Sequence, residues 1–323
     1  MRAIVQEEYG PTEDVLRLGR LPRPEIGAGE VLVRVRAAGV DRGVWHLMAG
    51  EPYAIRLAGF GVRAPKNAVR GSEFAGVVEA VAPDVTTLRA GDEVYGIGRG
   101  SFAEYVVAPV GKVAPKPAGL SFEQAAAAPV SASTALQAVR DHGGVRPGQS
   151  VLVIGASGGV GSFAVQIAKA FGAEVTGVSS TSKVDLVRSL GADRVLDYSA
   201  GDFLAGEERY DVVLDIGGNT PLRRLRRALT PTGTLVIVGG ETGGRWLGVR
   251  RQLLAVALSP FVGQKLGTFI NSENAADLVV LTGLLEAGTV VPAVDRVFPL
   301  AEAAAAVRWM REGRARGKVV VAI

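Results

Sequence analysis

The stretch VLVIGASGGVG at residues 151–161, continued by SFAVQIAKAFG, leaves this chain few ways to fold. Four aliphatic residues in a row suit a strand buried on both faces, and the pattern after the turn has the period of an amphipathic helix. Between them Gly155, Gly158 and Gly161 recur at every third position. Among 43 glycines that spacing alone says little, so the context carries the weight. A strand turning this tightly into a helix needs residues without Cβ, both for the turn and for a helix beginning near Gly159 to pack on the strand. The helix N-terminus offers unpaired N–H groups and a partial positive charge, which suit a pyrophosphate. Strand, turn and helix together point to a dinucleotide site.

The bulk numbers agree with a globular enzyme. A chain of 323 residues has room for two domains or one large α/β domain. With 48% hydrophobic and 21% charged residues it is not a disordered chain. The net charge of +4 comes from scattered arginines. Two local groups, Arg223, Arg224, Arg226 and Arg227, and Arg311, Arg314, Arg316 and Lys318, read as solvated helix faces and helix ends rather than a nucleic-acid surface. The absence of cysteine rules out disulfides, thiol nucleophiles and cysteine-ligated metals. The opening MRAIVQEEYG reads as a first strand without the parts of a signal peptide. Leu253 to Val262 is too short, and too interrupted by Pro260, to cross a membrane, so the cytoplasm is the expected location.

Up to about residue 120 the texture is that of strands: VLVRVRAAGV (31–40), FAGVVEAVA (74–82), DEVYGIG (92–98) and FAEYVVAP (102–109), parted by turn signals. This predicts a compact, mostly antiparallel β domain. Ser121 with Glu123 and Gln124 then opens an alanine-rich helix, and strands alternate with helices through VLVIG, EVTGVSS, RVLDY, YDVVLDIGG and TLVIVGG (234–240). That alternation predicts a doubly wound parallel sheet. The tail from about 270 offers two helices and the strands VPAVDRVFPL and GKVVVAI, expected to return to the first domain. The expected division is therefore 1–121 with 270–323, and 122–269.

The second strand of such a sheet decides between the two nicotinamide dinucleotides, because a carboxylate at its end binds ribose hydroxyls and repels a 2′-phosphate. Here the strand ends Val178, Ser179, Ser180, Thr181, Ser182, Lys183, with no carboxylate before Asp185. Hydroxyls with one ammonium suit a phosphate dianion, so NADP(H) is the expected cofactor. The same serines also suit capping of the next helix.

Taken in order, MRAIVQEEYG, RGSEFAGVVEAVAPDVTTLRAGDEVYG (70–96), SASTALQAV (131–139), the glycine turn and LGADRVLDY (190–198) resemble the medium-chain dehydrogenase/reductase superfamily, in its zinc-free quinone oxidoreductase-like branch. The resemblance spans essentially the whole chain. It implies a GroES-like β domain and a Rossmann domain, with the active site in the cleft between them. It places Ser157, Gly158, Gly159 and Val160 on the pyrophosphate, and Ser179, Ser180, Lys183 and Tyr198 at the 2′-phosphate end. It places Thr134, the turn Val238–Gly239–Gly240 and the backbone near Phe269 by the nicotinamide, with Arg314 or Arg316 adding charge. Relatives with a catalytic zinc hold it with two cysteines and a histidine. The matching positions here are Asp41, Ser72 and Val130, and valine cannot ligate zinc, so no metal is expected.

Without a Lewis acid, the accessible reaction is hydride delivery to a quinone or to a carbonyl-conjugated alkene, whose β-carbon is already electrophilic. In the resemblance, DRGVWHLMAG (41–50) lines the substrate and nicotinamide side. Asp41 stands where relatives commonly have asparagine, and is read as orienting the nicotinamide ribose or pairing with Arg42. His46 is read either as donor to the developing oxyanion or as a histidine capping a short helix. Trp45 and Tyr53 read as packing, and His142 receives no role. The loop Glu51 to Asn67 and the segment Arg245 to Gln264 are expected to shape the pocket. Alternatives are an enoyl-thioester reductase, an alcohol or aldehyde oxidoreductase of the same family, and a non-catalytic NADPH-binding sensor. A short-chain dehydrogenase is disfavoured because no tyrosine stands four residues before a lysine. The apolar segment Leu266 to Ile270 is the expected sheet edge of a homodimer acting on a small-molecule substrate.

Overall fold

The computed structural model describes residues 1–240, 246 and 248–323. The N-terminal third is a sheet protein. β1 (Arg2–Val5) pairs antiparallel with β2 (Arg17–Arg20), and the single turn α1 (Thr12–Val15) separates them in sequence. β3 (Glu30–Val40) is the spine of the main sheet. After it come α2 (Arg42–Ala49), β4 (Glu73–Val81), β5 (Glu93–Ile97), β6 (Tyr105–Pro109) and β7 (Val113–Pro115). Their pairings with β3 and with one another are antiparallel. Val33, Phe74, Val94, Phe102 and Val106 form the heart of a buried cluster over this sheet.

Helical texture then takes over with α3 (Phe122–Ala126) and α4 (Pro129–Gln137). Ser121 and Gln124 close a reciprocal capping box at 3.2 and 3.0 Å, the local reason the chain turns helical here. β8 (Ser150–Ile154), α5 (Gly159–Ala170), β9 (Glu174–Ser179), α6 (Val184–Ser189), β10 (Arg194–Asp197), β11 (Tyr210–Asp215), α7 (Leu222–Arg227), β12 (Leu229–Ile237), α8 (Arg250–Leu258) and β13 (Lys265–Thr268) follow. Their six strands lie parallel in the order β10-β9-β8-β11-β12-β13. The first strand sits mid-sheet and the chain winds outward both ways, which is the Rossmann order. β12 starts at Leu229 rather than at residue 234, because Leu229 pairs with Tyr210 across a register shift. It also stops at Ile237, so Val238–Gly240 form a turn and not a strand end.

The tail holds α9 (Ala275–Glu286), β14 (Val294–Pro299), α10 (Ala303–Arg311) and β15 (Lys318–Ala322). β15 pairs antiparallel with β3 and parallel with β14, so the tail completes the N-terminal sheet. The whole is mixed α/β, with an antiparallel-rich GroES-like sheet and a parallel sheet of Rossmann type. The chain groups into two compact units. One comprises Met1–Ser133, Glu273–Gly288 and Pro292–Ile323; the other comprises Thr134–Ser272 and Thr289–Val291. The first thus takes in α3 and half of α4, beyond the division expected at 121. Among the described residues no helix is long and apolar enough to cross a membrane.

Candidate functional site

The glycine turn separates into two kinds of glycine. Gly155 has φ +86°, and a Cβ there would stand 2.9 Å from the Gly217 nitrogen. A Cβ on Gly161 would stand 2.0 Å from the Gly155 carbonyl oxygen, so α5 can lie this close to β8 only without one. These two glycines serve the packing. Gly158 differs: it caps α5 with extended backbone (φ −86°, ψ 179°), and the nearest atom to an added Cβ is 3.5 Å away. Packing does not demand a glycine there; a close-approaching ligand would. The first bond of the helix runs from the Ser162 N–H to the Gly158 carbonyl at 2.9 Å. The amides of Gly159, Val160 and Gly161 precede that bond and meet no acceptor among the described residues. With buried Ser157 beside them they form an open row of donors at the positive end of a three-turn helix.

At the end of β9, Ser179 is buried and its hydroxyl donates to the Ser180 carbonyl at 3.3 Å. The Ser180 and Ser182 hydroxyls lie 3.4 Å apart, and the Lys183 N–H donates to the Ser180 carbonyl at 2.9 Å. The Tyr198 N–H donates to the Ser179 carbonyl at 3.1 Å, while its ring is 56% exposed. The fold thus gathers Ser179, Ser180, Lys183 and Tyr198 at one corner. Sequence reasoning missed a fifth member, Asp197, which stands directly across from Ser179 in the β9–β10 register. Its carboxylate accepts from the Thr181 hydroxyl at 2.5 Å and from the Ser199 N–H at 2.8 Å, and those bonds hold it below the usual carboxylate range. The signal was available in LGADRVLDY, but only a strand pairing reveals which residue it faces.

The turn Val238–Gly239–Gly240 is built from β11. The Val238 and Gly239 amides donate to the Asp215 carbonyl at 3.0 and 3.2 Å, and a Cβ on Gly239 would meet the Ile216 oxygen at 2.1 Å. The Asp215 carboxyl is fully buried, with Arg251 Nη1 at 2.6 Å. Burial raises its pKa against the pull of that guanidinium. Arg251 also donates to the Thr220 and Gly239 carbonyls at 2.7 and 3.1 Å, tying α8 to both turns. The Thr268 hydroxyl donates to the Ile237 carbonyl at 2.8 Å. Gln137 exchanges bonds with Ser272 at 2.8 and 3.0 Å, holding the chain after β13 to α4, where half-buried Thr134 lies one turn earlier. The Phe269 ring stacks on His142, centroids 4.2 Å apart, so only its backbone can serve as expected. Of the expected pocket segment Arg245 to Gln264, Arg245 and Leu247 lie outside the described residues.

In the first unit, Asp41 caps α2. One carboxylate oxygen accepts from the Val44 N–H at 3.0 Å and the other from the Ser72 hydroxyl at 3.3 Å. This structural use was not foreseen. His46 Nδ1 lies 2.8 Å from the Glu51 carbonyl oxygen, which can only accept, so Nδ1 carries a proton. The ring can then donate from Nε2 only as the imidazolium. Its own carbonyl accepts from Gly50 and Glu51, which ties it into the helix end, and its ring centroid lies 4.7 Å from that of Trp45.

The zinc-matching positions do not fit a metal. Val130 contributes a backbone N–H to Glu73 at 3.0 Å, and the Asp41 carboxylate is engaged by Ser72 and Val44. Among the described residues no three His, Cys, Asp or Glu side chains converge as a metal site. A buried ion pair occupies the neighbourhood instead. Lys318 donates to Glu73 and, at 3.0 Å, to the Ser131 hydroxyl, with both charged residues almost wholly buried. Burial pushes the Glu73 carboxyl up to about 7, against the pull of Lys318. Lys318, expected on a solvated face, is thus a core residue, whereas Arg314 on that stretch is more than half exposed and pairs with Glu312 at 2.9 Å.

Two family models match the chain: an alcohol dehydrogenase GroES-like domain over residues 27–118 and a zinc-binding dehydrogenase over 190–321. A 2-methylene-furan-3-one reductase of Solanum lycopersicum is 33% identical over 99% of the chain and 79% of its own length. A quinone oxidoreductase from Coxiella burnetii superposes with a TM-score of 0.86 at 29% identity, covering 100% of this chain and 99% of that one. A mycobacterial protein solved with NADPH superposes with a TM-score of 0.84 at 28% identity over 100% of both chains.

Proposed function

Since the chain belongs to the medium-chain dehydrogenase/reductase superfamily, in its quinone oxidoreductase-like branch, we propose that it is a zinc-independent, NADPH-dependent reductase of quinones or α,β-unsaturated carbonyls. The coarser part, an oxidoreductase using a nicotinamide cofactor, rests on the relatives as a group. What carries the finer reading is one pairing of features. An open dinucleotide cradle at Gly158–Gly161 occurs in a chain whose positions 41, 72 and 130 form no metal donor set.

When bound, the reduced nicotinamide supplies the hydride. The chain's own residues do the rest. The amides of Gly159, Val160 and Gly161 receive the pyrophosphate. Ser179, Ser180, Lys183 and Tyr198 receive the adenosine end. Thr134, the Val238–Gly240 turn and the Phe269 backbone would lie by the nicotinamide. The β-carbon of a conjugated acceptor would take the hydride of a bound reduced nicotinamide, and His46 as imidazolium, or solvent, would supply the proton that completes the saturated ketone. We also propose a homodimer through the outer edge of β13, which among the described residues pairs only with β12.

The test is NADPH oxidation by chelator-treated protein, with quinones, enones and an enoyl thioester as acceptors. Turnover of the conjugated acceptors, undiminished by chelation and absent with saturated aldehydes, is expected. Activity confined to saturated aldehydes, or lost on metal removal, would overturn the reading.

A further inference from the structure

The corner that receives the adenosine end contains a charge its own loop does not suggest. Read along β9, the segment Ser179–Lys183 offers hydroxyls and one ammonium. Read across the sheet, the carboxylate of Asp197 stands beside Ser179 and accepts from Thr181. We propose that Asp197 is a coenzyme-discriminating residue, which weakens NADPH relative to NADH and so narrows the preference for NADPH proposed above. The inference rests on the nicotinamide-coenzyme reading above and refines its specificity.

Two physical effects act in the same direction. An ionised carboxylate repels the dianionic 2′-phosphate, whereas it accepts readily from a ribose 2′-hydroxyl. The second effect passes through Thr181. Its single hydroxyl proton is spent on Asp197, so the oxygen turns lone pairs, not a donor, toward any incoming phosphate. The Ser199 N–H holds the other carboxylate oxygen, which keeps the group in place as an anion. β9 and β10 are parallel and in register, and their carboxyl ends form the edge of the sheet where open α/β folds bind ligands. Ser180, Ser182 and Lys183 favour the phosphate on that edge, and Asp197 opposes them.

The test is the ratio of dissociation constants for NADPH and NADH, measured by coenzyme fluorescence or calorimetry on the full chain. Asp197→Asn removes the charge while keeping the shape. It should shift the ratio toward NADPH by about tenfold at low ionic strength, and by less in molar salt, as a screened surface charge requires. Asp197→Ser should shift it in the same direction and guards against a defect peculiar to asparagine. Ratios within twofold of wild type in both variants, or a shift toward NADH, would overturn the proposal. If the wild type binds both coenzymes and the ratio does not move, the discriminating role fails while the coenzyme reading survives. If the wild type binds neither, both fall.

Discussion

Lys318 shows at the scale of one residue how a charge changes meaning once the fold is known. In sequence it closes a basic run, GRARGK; in the structure it is 1% exposed and pairs with Glu73, 245 positions away. No local pattern carries that information, because burial of an end-of-chain lysine depends on β15 finding β3. Asp41 teaches the reverse: its identity drew a chemical role, and geometry gave it a helix cap. The ion pair makes a pH-dependent prediction. A carboxyl raised from 4.5 to about 7 contributes stability that is fully present below about pH 4.5 and is lost as pH rises through about 7. Wild-type protein should therefore lose stability relative to Glu73→Gln between about pH 5 and about pH 7.5 in denaturant titrations. Lys318→Met should cost about 3–5 kcal/mol near pH 8, where it strands a buried carboxylate, and much less near pH 5. Adding Glu73→Gln to it should recover most of the loss.

At the scale of elements, the glycine turn was legible because its requirement is local. A run of aliphatic residues, three glycines at fixed spacing and an amphipathic stretch specify strand, turn and helix without reference to the rest of the chain. What the pattern cannot say is which glycine the packing requires; the space around each Cβ says it. Gly161→Ala forces a methyl group into the Gly155 carbonyl and should cost at least about 2 kcal/mol, seen as a lowered melting temperature. Gly158→Ala meets only ordinary contact, so the fold should melt within a few degrees of wild type. Its NADPH affinity should nevertheless fall by roughly tenfold or more, because the methyl group takes the space the pyrophosphate needs. A Gly158→Ala protein that binds NADPH normally would remove the turn from the coenzyme site. Register, by contrast, was not legible: Asp197 meets Ser179 through a pairing that neither strand announces.

At the scale of the molecule, the alternation of texture along the chain foretold both sheets, since strand periodicity and helix periodicity differ at every step, while the tail's place beside β3 appears only in the pairing of β15. The exposed faces were harder to foresee, because an apolar residue in sequence reads as core whether or not anything covers it. Around the outer edge of the parallel sheet, Phe261 is 84% exposed and Ile270 94%, with Leu253, Leu254 and Val256 of α8 at 50–60%. Among the described residues β13 ends the parallel sheet, next to the segment Leu266 to Ile270 expected as a dimer edge, and its Leu266 N–H donates to the Ser259 hydroxyl at 2.9 Å. Monomers rarely leave so much apolar surface beside an open strand edge, and pairing two such edges satisfies both the amides and the side chains. The proposed dimer therefore makes a sharp demand. In sedimentation at micromolar concentration, the wild type should run as a dimer of its 33.5 kDa chain. Phe261→Glu with Ile270→Glu places two like charges on each partner's edge and should give monomers with an unchanged far-ultraviolet spectrum. Neither substitution touches the glycine turn or the Ser179–Lys183 corner. A double variant that remains dimeric would show that the chain assembles, if at all, through another face.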